Sequence, residues 1–173
     1  MRPIAFLSHH LTVAGITALL LTAALGLPAS AGALDDAAAR ATLRGIKALR
    51  VLVASLKADI SEGDFTTAQL QTDVEARLKQ AAIPADPRSG EFLYVAVTTV
   101  KLDRGVYAYS IDVDSYQSVT LARAPTLSTL AATWGVGSRV GVIDRTRLRE
   151  IRSEVVGFVD QFISAYREQN PKQ

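Results

Sequence analysis

The stretch from Glu91 to Ala122 restricts the fold more than any other part of the chain. From Glu91 to Lys101, Leu93, Val95 and Val97 alternate with Tyr94, Ala96 and Thr98, the period of two expected of a strand with one buried face. Leu102-Asp103-Arg104-Gly105 supplies a turn, with Gly105 free to take positive φ. The return run, Val106 to about Ala122, sets Tyr107, Tyr109, Ile111, Val113, Val119 and Leu121 on one parity. Ser110, Asp112, Asp114, Tyr116, Ser118 and Thr120 occupy the other. A long hairpin with one apolar face has to be covered on that face, and the neighbouring segments supply the cover.

Ser61-Glu62-Gly63-Asp64 reads as a turn, and Thr66 or Thr67 as the cap of a helix reaching about Ala82. Leu70, Val74, Leu78 and Ala81 form its buried stripe, and Pro84 and Pro87 stop it. Before it, Ile46 to Leu56 is apolar on both faces and rich in β-branched residues, as a central strand would be. A helix between two strands permits a crossover, so this strand and the first hairpin strand are expected to run parallel. A further strand is expected from Thr126 to Val136, with Leu130, Ala132, Trp134 and Val136 on its inner parity. After a short apolar patch, Asp144 is placed to cap a last helix to about Gln169, carried by Leu148, Ile151, Val155, Phe158, Phe162 and Tyr166. The alanine-rich run Leu34 to Leu43 adds an optional short helix ended by Gly45. The fold class is therefore α+β: a four-stranded mixed sheet in the order β-α-β-β-β-α, with two amphipathic helices on one face and the other face open.

The first residues read as an address. Arg2, an apolar run from Leu11 to Leu27, and Pro28-Ala29-Ser30-Ala31 have the layout of a secretory signal, with cleavage expected after Ala31. That leaves residues 32–173 as one α+β domain. The alternative, a membrane anchor, is barely long enough to span a bilayer. Both histidines, His9 and His10, lie in the segment expected to be removed, and the chain has no cysteine. Ser-His-Asp and Cys-His catalysis, and zinc sites built on imidazole or thiolate, then have no residues to work with. Nineteen Lys and Arg against seventeen Asp and Glu give a net charge of +2, spread without a basic block. Nucleic acid is not an expected partner.

The hydroxyl-rich parity is the most suggestive constellation. Tyr94, Thr98, Ser110, Tyr116, Ser118, Thr129 and Thr133 would share the open sheet face if the strands pair in sequence. Such a face suits a polar ligand, a glycan or a peptide, although Thr and Tyr are also ordinary strand formers on a wet surface. Asp112 and Asp114 stand two apart on one strand, so their carboxylates project to the same side within about 7 Å. Without further acidic ligands they fall short of a calcium site, and edge-protecting acids are the plainer reading. The ligand- or partner-binding candidates are thus Tyr94, Thr98, Ser110, Asp112, Asp114, Tyr116 and Thr133, with no catalytic, metal or cofactor site among them. Trp134 reads as a core residue. Gly135-Val136-Gly137-Ser138-Arg139-Val140-Gly141 lacks the Lys-Ser/Thr ending of a phosphate loop, and a glycine-marked bend or bulge accounts for it.

Thr72 to Leu78 followed by Ile83-Pro84, Leu93 to Val97, Tyr107 to Val113 and Thr129 to Gly135 together resemble a group of uncharacterised exported bacterial proteins. In element order, and in the helix ending Arg77-Leu78-Lys79-Gln80-Ala81-Ala82-Ile83-Pro84, the domain is also similar to the N-terminal module of the translocation protein TolB. Lipoproteins of curli secretion and peptidoglycan-synthase activation share that module. The resemblance implies export, this fold and protein contact in the bacterial envelope. The expectation is a non-enzymatic periplasmic or secreted protein that binds a protein or envelope component through the open face or a strand edge, meeting the membrane only through its signal. The alternatives are a carboxylate-dependent hydrolase acting on glycans, with Asp112, Asp114 or Glu91 as acid and base, and a carrier of small apolar ligands.

Overall fold

The computed structural model describes residues 34–61 and 65–171. The expected signal segment lies outside the described residues. The fold is α+β, a mixed sheet flanked by helices, with element order α1 (Ala37–Ala41), β1 (Arg50–Val53), α2 (Thr67–Gln80), β2 (Phe92–Asp103), β3 (Val106–Leu121), β4 (Ala124–Gly135), β5 (Arg139–Asp144), a 3₁₀ turn (Arg145–Arg147) and α3 (Arg149–Gln169).

The sheet order is β1-β2-β3-β4, with β5 also paired to β3. As the crossover predicts, β1 and β2 run parallel, Leu52 lying opposite Tyr94. The β2–β3 hairpin is antiparallel from Phe92↔Tyr116 to Asp103↔Val106. The sixteen residues of β3 outlast β2, so one strand serves two partners along its other edge: β5 beside Val106 to Ile111, and β4 beside Asp114 to Leu121. Beyond Tyr116, β3 and β4 continue as a two-stranded ribbon past the end of β2, with Leu127 and Leu130 exposed.

The odd parity of the hairpin faces the helices as read from the sequence. Leu93, Val95, Val97, Tyr107, Tyr109, Ile111 and Val113 are buried in one cluster with Leu70, Val74 and Leu78 of α2 and Ile151, Val155, Val159 and Phe162 of α3. Val119 and Leu121 share the parity but lie on the ribbon, where they are half-buried. Two carboxylate–guanidinium contacts tie the helices together. Arg77 grips Asp160 through Nε at 2.6 Å and Nη2 at 2.8 Å, and Arg152 reaches Asp73, whose carboxyl it holds below the usual carboxylate range.

Local chemistry fixes the helix ends. Thr66 caps α2, accepting from the Gln69 N–H at 3.1 Å. At its other end the Ile83 N–H donates to the Leu78 carbonyl and the Ala82 N–H to the Lys79 carbonyl, the Schellman pattern. The residue in the left-handed position is Ala82, at φ +60°, rather than glycine. Asp36 caps α1, accepting from the Ala39 N–H at 2.7 Å, and Gly45 follows at φ +81°. Asp144 precedes the last helical segment, but its side chain makes no capping bond, and a 3₁₀ turn intervenes before α3.

Three expectations are corrected. The apolar patch after Ser138 is a fifth strand. The first strand is four residues long, shorter than Ile46–Leu56. In β4 the inner parity shifts: Ser115 pairs with Trp134 but Tyr116 with Ala132, a bulge that sends Thr133 and Trp134 to the same side. Leu130 and Ala132 therefore share the open face with their partners Ser118 and Tyr116, and Leu130 is exposed. Trp134 alone of that set is deeply buried, edge-on to Phe162 at 5.3 Å, with its indole N–H donating to Asp35 at 2.7 Å.

Candidate functional site

The even parity of β2 and β3 lies on the sheet face away from the helices, where Phe92 and Ala96 are buried, Tyr94, Ser110, Asp112, Asp114 and Tyr116 half-buried, and Thr98 exposed. Reading across the strands, Arg50, Phe92, Tyr116 and Ala132 form one row, and Leu52, Tyr94, Asp114 and Gly135 the next. Ala96 lies opposite Asp112, Thr98 beside Ser110 and Val140, and Val100 beside Ala108 and Val142. Six of the seven candidates, Tyr94, Thr98, Ser110, Asp112, Asp114 and Tyr116, thus lie on one face in adjoining rows.

Thr133 does not join them. The bulge turns it to the helix side, where its hydroxyl accepts from Gln117 Nε2 at 2.8 Å, and the same Gln117 amide donates to the Thr42 carbonyl beyond α1. Thr129, paired with Val119, also leaves the open-face parity.

The rows differ in chemistry. Phe92 and Tyr116, directly opposed, stack with centroids 5.1 Å apart and planes 2° from parallel, and Tyr94 meets Tyr116 edge-on at 6.0 Å. The Arg50 guanidinium lies over the Phe92 ring at 5.3 Å, while its Nε is buried with no hydrogen-bond partner. Sequence reading passed over Phe92 and Arg50. Phe92 shares the parity of Tyr94 and was legible on that ground, whereas Arg50 required the pairing of β1 with β2.

Beside this aromatic row stand the two carboxylates. Asp112 accepts a short hydrogen bond from the Ser138 hydroxyl. Asp114 accepts no hydrogen bond from any described residue. Burial, reinforced by the charge of Asp112, lifts its carboxyl above the usual carboxylate range. Gly135 makes room for it, since a Cβ there would stand 2.1 Å from Asp114 Oδ1. Tyr116 is raised in turn by burial first and then by the negative charge of Asp114. The patch thus sets two acids two residues apart, flanked by ring faces and edges, with no ion pair to either among the described residues.

Depressions of about 680 and 650 Å³ run along α2 and α3, both lined by Arg77 and Gln80, the first also by Asp160 and the second by Asp73 and Arg152, and neither Asp112 nor Asp114 lines them. Among the described residues no three Asp, Glu, His or Cys side chains come together as a metal site. No described helix is long and apolar enough to cross a membrane. No protein-family model matches the chain, and no curated protein matches it.

Proposed function

We propose that this is a non-enzymatic protein of the bacterial envelope, exported with residues 1–31 removed, which binds a protein or envelope component through the open face of its sheet. The observation that carries the reading is the patch of Tyr94, Tyr116, Asp112 and Asp114 with Phe92 and Arg50. The half-buried Tyr94 and Tyr116 rings, the latter held against buried Phe92, give contact area at low entropy cost, and two carboxylates that form no ion pair among the described residues favour a partner bringing positive charge. The resemblance to exported bacterial proteins and to envelope assembly modules points to the same setting. The carboxylates stand on a sheet face away from the grooves, whereas glycoside hydrolysis needs two of them flanking a cleft at about 5–10 Å. The space between sheet and helices is filled by the hydrophobic cluster, which argues against a carrier's cavity.

The reading is tested by affinity capture from envelope extract with the wild-type protein and with Tyr116→Ala and Asp112→Asn variants whose melting is unchanged. A partner retained by wild type and lost by both variants supports it. Equal recovery by all three, or turnover of a glycan abolished by Asp112→Asn, overturns it.

A further inference from the structure

We infer that β5 is a self-association edge, on which two copies of this chain pair β5 with β5 antiparallel about a twofold axis at Gly141. The argument starts from where the backbone of β5 points. The Arg145 N–H donates to the Gly105 carbonyl at 2.7 Å, and β5 pairs with β3 as Val106↔Asp144, Ala108↔Val142 and Ser110↔Val140. In an antiparallel ladder the bonded pairs alternate, so Ile143, Gly141 and Arg139 bond inward to β3. The N–H and C=O groups of Val140, Val142 and Asp144 then point outward.

That outer edge has no described strand on it, and its charged residues, Arg139 and Asp144, stand only at its two ends. Over its six residues β5 has no proline, no lysine and no bulge, and its two outward-bonding valines are among the most exposed large apolar side chains described, Val140 at 71% and Val142 at 66%. The opposite edge of the sheet is covered: Gln71 of α2 donates to the Val51 carbonyl, and Leu49 bonds with Pro84 and Asp86.

The sequence of β5 selects a second copy of itself. With Gly141 on the axis, Val140 lies opposite Val142 of the second copy and Val142 opposite its Val140, all four outward-bonding, so the hydrogen bonds and apolar contacts are both reciprocated. Arg139 then opposes Ile143, and Asp144 opposes Ser138. Centring on Val142 instead would set Arg139 against Arg145, a like-charge pair, and centring on Val140 would set Val142 against Ser138. The preferred register extends the two sheets into one.

The test is sedimentation velocity across a concentration series on the protein as isolated from its host, wild type beside Val142→Pro, Val142→Lys and Val100→Lys. Proline at position 142 removes an outward donor without taking a bond from β3. Each dimer loses two hydrogen bonds, so self-association should weaken by about tenfold or more while the far-ultraviolet spectrum and melting stay as in wild type. Should Val142→Pro fail to fold, Val142→Lys decides, since it keeps the backbone donor and places charge against Val140 of the second copy. Val100→Lys, on the open face but off the edge, should leave the dimer intact. A monomer at every concentration overturns the inference, as it would if a different strand occupied β5. So does a dimer unmoved by both position-142 variants, or one broken equally by Val100→Lys.

Discussion

Among the described residues, Asp114 is a carboxylate whose surroundings disfavour its charge. Its carboxyl is pushed up by burial and by Asp112, so the folded protein holds the proton more tightly than the unfolded chain does. In that situation folding loses stability as pH rises from the unfolded pKa through the folded one, and regains it on acidification. Asp114→Asn, which keeps shape and removes charge, should raise the melting temperature at pH 7 by about 2–4 °C. That gain should shrink on acidification and vanish by about pH 2–3, where the wild-type group is protonated in both states. A gain of equal size at both pH values would show that charge is not its cause. Gly141 makes a different demand: a Cβ there would sit 2.6 Å from the ring of Tyr109, which is buried and fixed by hydrogen bonds from its hydroxyl to Glu154 at 3.0 and 3.1 Å. Gly141→Ala should therefore cost about 1–3 kcal/mol in urea unfolding. At this scale the sequence revealed Tyr94, Tyr116, Asp112 and Asp114 as neighbours through their shared parity. It read Gly135 and Gly141 only as part of a bend or bulge and did not show what they make room for, because the space a glycine leaves is defined by side chains from other strands.

Among the elements, β2, β3, α2 and α3 were legible because their periods of two and of three to four persist over twelve or more residues. The pattern failed where it was short or interrupted. β5 is six residues long and puts Val140 and Val142 outside while Ile143 is buried, so its alternation inverts what burial would dictate. β4 contains a bulge, and one extra residue reverses the parity on either side of it, which is why Thr133 went to the wrong face. The helices carry correctable local costs. Ala82 holds a left-handed conformation that glycine adopts freely, and Gly157 occupies an exposed position inside α3 with nothing within 4 Å of an added Cβ. Ala82→Gly and Gly157→Ala should each stabilise the protein by about 0.5–1 kcal/mol, opposite substitutions with the same sign because the backbone conformations differ. Denaturant midpoints measured for the two single variants check this, and a loss in either would contradict the account of that helix.

For the described residues as a whole, helices cover one side of the sheet and leave the other without a helix on it. The hydrophobic cluster between sheet and helices holds the fold, and the even parity of β2 and β3 lies on the uncovered side, where the proposed contacts are made. The outward valines of β5, Val140 and Val142, lie at one end of the sheet, and the aromatic–carboxylate patch toward the other. In the proposed reading the β5 edge serves self-association and the patch receives a partner. The most direct measurement of this arrangement is site-specific photocrosslinking in intact cells, with the photoreactive residue placed at position 116 on the open face or at position 161 on the outer side of α3. The account predicts a discrete crosslinked partner from position 116, absent from position 161 and lost when Asp112 and Asp114 are both changed to asparagine. A partner captured from α3 and not from position 116, or capture at 116 that ignores the loss of both carboxylates, would contradict it.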